Sequence, residues 1–182
     1  MGQDPPQDRL SDQQLIAAAN AGSDRAFETL YRRYRDWVVA LAYRVTHNRD
    51  DALDVLQDTF TYLLGKFPGF VLTCRMKTFL YPVVRNLAIR RREKAQRAGQ
   101  SQSSPEDLPA PDAQQSDDDL VRLLAVLPAG QRQVLVMRFV DGLPLADIAL
   151  ALDIPLGTVK SRLHHALAAL RNDERVGRFF SN

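Results

Sequence analysis

Apolar residues recur at steps of three and four along most of this 182-residue chain, and the pattern breaks once, over residues 98–119. Such spacing marks a helix with one buried face, because 3.6 residues complete a turn. Phe27, Leu30, Tyr31, Tyr34, Val38, Leu41 and Val45 form the longest stripe, and Ala52, Leu56, Phe60, Leu63 and Leu64 form the next. Ser11 and Gln14 have the spacing of a capping box, which opens a short helix that stops near Gly22. Ser23 or Asp24, and then Asn48, are the next N-caps, and Asp50, Asp51 and Asp54 favour a helix start after Asn48. A fourth helix is expected over about 78–97. Pro82 conflicts with it: lacking an N–H, it either falls in the first turn of a helix starting near Tyr81 or kinks a longer one.

The break has linker composition, with Gly99, serines, Pro105, Pro109, Pro111 and an acidic run. The helical pattern resumes over 120–127, 129–140, 145–152 and 156–171, punctuated by Pro128, Gly142, Pro144 and Pro155. The expected fold class is all-α: two small helical domains, 11–97 and 120–171, joined by a flexible acidic linker over 98–119 and followed by a tail over 172–182. A hydrophobic content of 45% supports a core in each.

Several function classes drop out. The apolar run over 37–42 is far too short for a bilayer span, and the polar, acidic start lacks the apolar core of a secretory signal. Cys74, the single cysteine, can form neither an internal disulfide nor a thiolate zinc site. A cytoplasmic location is expected. Without a glycine-rich phosphate loop, Cys/His metal spacing or a nucleophile beside an ordered base, no catalytic residues, metal or cofactor are expected, and the chain does not read as an enzyme.

The overall charge of +2 hides a sharp segregation. Residues 71–100 carry 8 basic and 1 acidic side chain, whereas 101–119 carry no basic and 6 acidic ones. Fields act locally at physiological salt, so the basic block is an electrostatic footprint for phosphates in its own right. Residues 145–163 have the pattern of a helix-turn-helix: Ile148 and Ala149 on the first helix, Ile154 in the turn, Val159 and Leu163 anchoring the second. The second helix turns Thr158, Lys160, Ser161, His164 and His165 away from its apolar side, and these donors suit phosphates and base edges in a major groove. Adjacent histidines diverge by about 100° on a helix, which makes them poor joint ligands for one metal.

Gly157-Thr-Val-Lys-Ser-Arg-Leu163, with Leu127-Pro128, Arg132 and Ile148-Ala149 before it, resembles region four of bacterial RNA polymerase sigma factors. Asp51-Ala-Leu-Asp-Val-Leu-Gln-Asp-Thr-Phe60 and Arg85-Asn86-Leu87 resemble region two of the same family. Two such modules without an intermediate domain match the extracytoplasmic-function (ECF, group IV) subfamily. The resemblance implies a non-enzymatic protein that binds core RNA polymerase, directs it to the −10 and −35 elements of promoters and aids melting. It implies that Asp54, Gln57, Asp58 and Phe60 dock on the clamp helices of the polymerase β′ subunit, and that the β flap is a second polymerase contact. The loop 70–77 would capture an unstacked base of the −10 element. Asn86, Arg85, Arg90, Arg91, Arg92 and Lys94 would bind DNA there, with Arg97 adding charge and Phe79 and Tyr81 available either to stack or to fill the core. Thr158, Lys160, Ser161, His164 and His165 would read the −35 element, and Arg162 would brace the fold or touch phosphate. An anti-sigma factor is an expected partner.

The chain departs from the family pattern at several points. Phe79 stands where tryptophan is common, Asp147 where glutamate is frequent, Asp153 where the turn usually has glycine, and His165 where relatives often have arginine. An imidazole in place of a guanidinium weakens phosphate attraction and ties it to pH. Cys74 falls in the loop expected to capture a base, either as a small packed side chain or as a redox-sensitive thiol. The alternative to a sigma factor is a stand-alone helix-turn-helix transcriptional regulator that acts without binding polymerase core.

Overall fold

In a computed structural model, residues 10–99, 124 and 126–171 are described. The chain divides into two compact units, with the boundary between Ser103 and Ser104. Among the described residues there are seven helices and no strand.

In the front unit, local capping chemistry sets where each of the first three helices begins. α1 (Asp12–Asn20) opens with the complete capping box: the Gln14 N–H donates to Ser11 Oγ and the Ser11 N–H donates to Gln14 Oε1. Ser23 caps α2 (Asp24–Thr46) by accepting from the Ala26 N–H, and Asn48 caps α3 (Arg49–Leu64) by accepting from the Asp51 N–H. Each cap satisfies a donor that the helix start would leave open, worth about 1 kcal/mol. α2 is the central element; α1, α3 and α4 (Met76–Gly99) all pack on it, and α3 and α4 pack on each other. Leu15, Leu30, Val38, Val55, Leu63, Leu80 and Val84 are fully buried between them. Each such side chain contributes about 1.5–3 kcal/mol of transfer free energy.

Several details differ from the periodicity reading. Leu64, one residue past the buried Leu63, is rotated off the core face and stands 54% exposed, while Val55 and Thr59 fill the stripe instead. The Thr59 hydroxyl is satisfied by donating to the Val55 carbonyl at 2.7 Å. Phe27 and Tyr31 are only half-buried; they meet Phe60 edge-on, with ring centroids 6.3 and 4.8 Å away. α4 begins at Met76, two residues before the expected 78, and runs through Pro82 to Gly99, so of the two alternatives for Pro82 the longer helix is the one formed. Pro82 denies the Thr78 carbonyl its usual partner one turn later, and burial of Met76, Leu80, Tyr81 and Val84 outweighs that loss. Residues 98 and 99, expected in the linker, are helical. α1 is fastened to α2 by Arg33, which pairs with Asp12 at 2.7 Å and donates to the Leu10 carbonyl, and by the Tyr34 hydroxyl, which donates to Asp12.

The rear unit is built from shorter pieces: α5 (Ala129–Phe139), α6 (Leu145–Leu152) and α7 (Leu156–Arg171). Leu124, Leu127, Leu135 and Ala166 form a cluster against which Val136, Leu163, Leu167 and Leu170 pack. Most of the helix expected over 120–127, the rest of the linker and the tail lie outside the described residues. No helix among the described residues is long and apolar enough to cross a membrane.

Candidate nucleic-acid and protein interfaces

In the rear unit, α6 ends at Asp153, whose φ of 52° and ψ of 50° place it in the left-handed region. Aspartate is one of the few residues besides glycine that enters this region at modest cost, so the turn keeps its shape without the glycine. The Ile154 N–H closes on the Ala149 carbonyl at 3.1 Å, and the Thr158 and Val159 N–H groups both close on the Pro155 carbonyl. α7 therefore starts immediately after the turn, with Val159 and Ala166 buried. Lys160, Ser161, His164 and His165 are exposed and Thr158 half-exposed, so all five expected donors stand clear of the core. Arg162 does not join them. Its guanidinium lies over Gly130 at the start of α5, where an added Cβ would sit 3.2 Å from Cζ, and this is the bracing position of the two expected.

In the front unit, α3 presents Asp50, Asp54, Gln57, Asp58 and Thr61 on one side at helical spacing. Leu53, 45% exposed, extends this acidic surface with an apolar side chain, and an apolar contact inside a charged rim is the make-up of a protein-docking face. Phe60 corrects the expectation. It is 5% exposed and held between Phe27 and Tyr31, so it supports the helix from within and cannot touch a partner. Phe60 lies on α3 as expected, but the 3.6-residue turn carries it to the inner side.

The basic block on α4 divides in three. Asn86, Arg90, Lys94 and Arg97 are exposed and recur at steps of three and four, so they share one outer side of the helix. Arg85 and Arg92, seven residues apart, form a second row. Arg91 points toward α3, where its Nη2 meets Asp54 Oδ2 at 2.7 Å and its Nε lies 4.0 Å from Asp51 Oδ1. Two residues expected to serve different partners, Arg91 for DNA and Asp54 for polymerase, thus hold each other. Tyr81 is in the core at 5% exposure, and Phe79 is half-buried against Phe70 and Tyr62.

The loop between α3 and α4 is anchored by a residue that sequence reading missed. Asn20, the last residue of α1, accepts from the Gly69 and Phe70 N–H groups at 2.7 and 3.0 Å and donates to the Phe70 carbonyl at 2.9 Å. Gly69 needs its missing side chain here, since its φ is +99°. The Phe70 ring is buried between Phe67 and Phe79. Nothing in the local pattern around Asn20 announces a contact 50 positions away.

The chain matches the family models Sigma-70 region 2 over residues 30–98 and Sigma-70, region 4 over residues 117–170. The ECF RNA polymerase sigma factor SigM of Mycobacterium tuberculosis is 32% identical over 165 residues, an alignment covering 88% of this chain and 83% of the relative. The chain belongs to the ECF RNA polymerase sigma factors. SigW of Bacillus subtilis, also named an ECF RNA polymerase sigma factor, is 29% identical and covers 88% of this chain and 95% of its own length. Among solved structures, the sigma factor RpoE in complex with the anti-sigma factor NepR from Bartonella quintana has a TM-score of 0.62 at 25% identity, covering 80% of this chain and 94% of that one. CnrH in complex with the cytosolic domain of CnrY reaches 0.64 at 23% identity, covering 88% and 94%, and shares the fold. The activity of this sigma factor is transcription initiation with RNA polymerase, and the reading as a stand-alone regulator is not favoured.

Proposed function

We propose that this sigma factor divides its work between its two units. The front unit docks the α3 surface of Asp54, Gln57 and Asp58 on the β′ clamp helices of core RNA polymerase. Its α4 then meets the −10 element through Asn86 and the cations Arg85, Arg90, Arg92, Lys94 and Arg97, while the loop before it, 71–75 of the expected 70–77, takes up an unstacked base. Flipping a base costs a few kcal/mol, which stacking and hydrogen bonding in a pocket must offset. Arg91 serves this step through Asp54, not by a direct phosphate contact. The rear unit lays α7 in the major groove of the −35 element, with Thr158, Lys160, Ser161, His164 and His165 toward the DNA, and contacts the β flap. The polymerase performs the chemistry, and the sigma factor acts in the cytoplasm.

The observation that carries this reading is the separation of chemistry: an acidic and apolar surface on α3, a basic one on α4, and a neutral-to-basic donor row on α7 in the other unit. An anti-sigma factor covering these surfaces is the further partner, in line with the complex of RpoE with the anti-sigma factor NepR. Run-off transcription with core polymerase on a promoter library tests it. Initiation confined to templates sharing −10 and −35 sequences is expected, and initiation with no such selection overturns it.

A further inference from the structure

We propose that Asn20 is a positioning residue for base selection at the −10 element. This rests on the proposed capture of an unstacked base by the loop 71–75. The loop's root is held twice. Asn20 uses both ends of its amide on two consecutive residues, accepting from the Gly69 and Phe70 N–H groups and donating to the Phe70 carbonyl. The Phe70 ring is clamped between Phe67 and Phe79, with centroids 5.5 and 5.0 Å away. Beyond this anchor the chain turns outward: Val71 is 76% exposed, and Thr73 and Arg75 are exposed before α4 begins. A segment that must discriminate one base edge from another has to be held to within a fraction of an ångström, and its own residues 71–75 contain no secondary structure to do so. Asn20 transfers the rigidity of the α1–α2 pair to it. Asn20 cannot itself reach a base while its amide is engaged, so it acts through the loop.

The test uses the full-length sigma factor with core polymerase and fork-junction DNAs carrying each of the four bases at the unpaired −10 position. The wild type is expected to prefer one base. In Asn20→Ala all three hydrogen bonds go, and the preference should fall about tenfold, the effect of losing one or two neutral hydrogen bonds. Asn20→Asp keeps the two acceptor bonds but sets a carboxylate oxygen against the Phe70 carbonyl, so its preference should lie between the two. A merely structural role would lower thermal stability or core affinity equally for all four templates and leave the ratio between bases unchanged. Wild-type discrimination retained in Asn20→Ala overturns the inference alone. Should Asn20→Ala not fold, the same ratio in Asn20→Asp decides: wild-type discrimination there overturns the inference too. Absence of any preference in the wild type removes the base-capture reading, and the inference falls with it.

Discussion

In α7 the five expected DNA-reading side chains all stand clear of the core, whereas in α3 and α4 the expected partner-facing residues are interleaved with it. Phe60 is inside, Tyr81 is inside, and Arg91 is bound to Asp54 and near Asp51. The difference follows from how each helix is enclosed. α7 packs on both α5 and α6 but fully buries only Val159 and Ala166, so a wide polar row stays outward. α3 also packs on two helices, α2 and α4, but buries Ala52, Val55, Leu56, Thr59, Phe60 and Leu63, so only a narrow outer row remains. The fewer side chains a helix gives to the core, the more of its polar residues stay outward.

The largest effect that could break this contrast is at Phe60. Phe60→Ala should destabilise the front unit by about 3–5 kcal/mol in denaturant unfolding, as a large buried ring is lost. Gln57→Ala, three residues before it and exposed, should weaken core-polymerase binding with stability unchanged. Equal, small stability changes for both would mean that Phe60 is not enclosed. Next in size is Lys160→Ala on α7. It should lower the slope of log affinity against log salt for −35 duplex by about 0.9, one phosphate contact, with the folding of the unit intact. No change in slope would remove Lys160 from the DNA face.

A smaller effect sharpens the front-unit side. The Arg91–Asp54 pair is partly exposed, at 28% and 49%, so a double-mutant cycle on stability should give a coupling of only about 0.2–1 kcal/mol. The same cycle read on −10 DNA affinity should show Asp54→Ala and Arg91→Ala to be non-additive. Strict additivity would separate the two faces again. The smallest concerns the α1–α2 joint that anchors Asn20. Burial, and then the hydrogen bond to Asp12, push the Tyr34 phenol above its ordinary range. The unfolded chain loses that proton near pH 10 while the folded one keeps it. The unfolded state then binds fewer protons, so the Tyr34 contribution is complete below about pH 10 and is lost as pH rises further. Tyr34→Phe should flatten stability against pH in that window, and an unchanged alkaline limb would refute the assignment.

The capping box at Ser11, the caps at Ser23 and Asn48, and the boundaries of α6 and α7 were all legible in the sequence. These depend on residues within one turn of each other. The start of α4 was legible to within two residues; what stayed open was whether Pro82 forces a start near Tyr81, because that local rule opposes a tertiary gain from burying Met76, Leu80 and Tyr81. The outward row of α7 was legible because the apolar spacing of Val159, Leu163, Ala166 and Leu170 fixes its inner side; only Arg162, drawn to Gly130, departs from the polar row. The inward turn of Phe60 and of Arg91 was hidden, since an aromatic or a cation fits either side of a helix until its neighbours are known.

Taken alone, the order of residues determined that the chain is helical, where it divides and which family it belongs to, since periodicity, caps and motifs are properties of neighbouring positions. Tertiary packing alone decided which members of those motifs stay exposed and which face each other. Asp54 with Arg91 and Asn20 with Phe70 are contacts between remote segments, chosen by how helices fit together and not by any local preference.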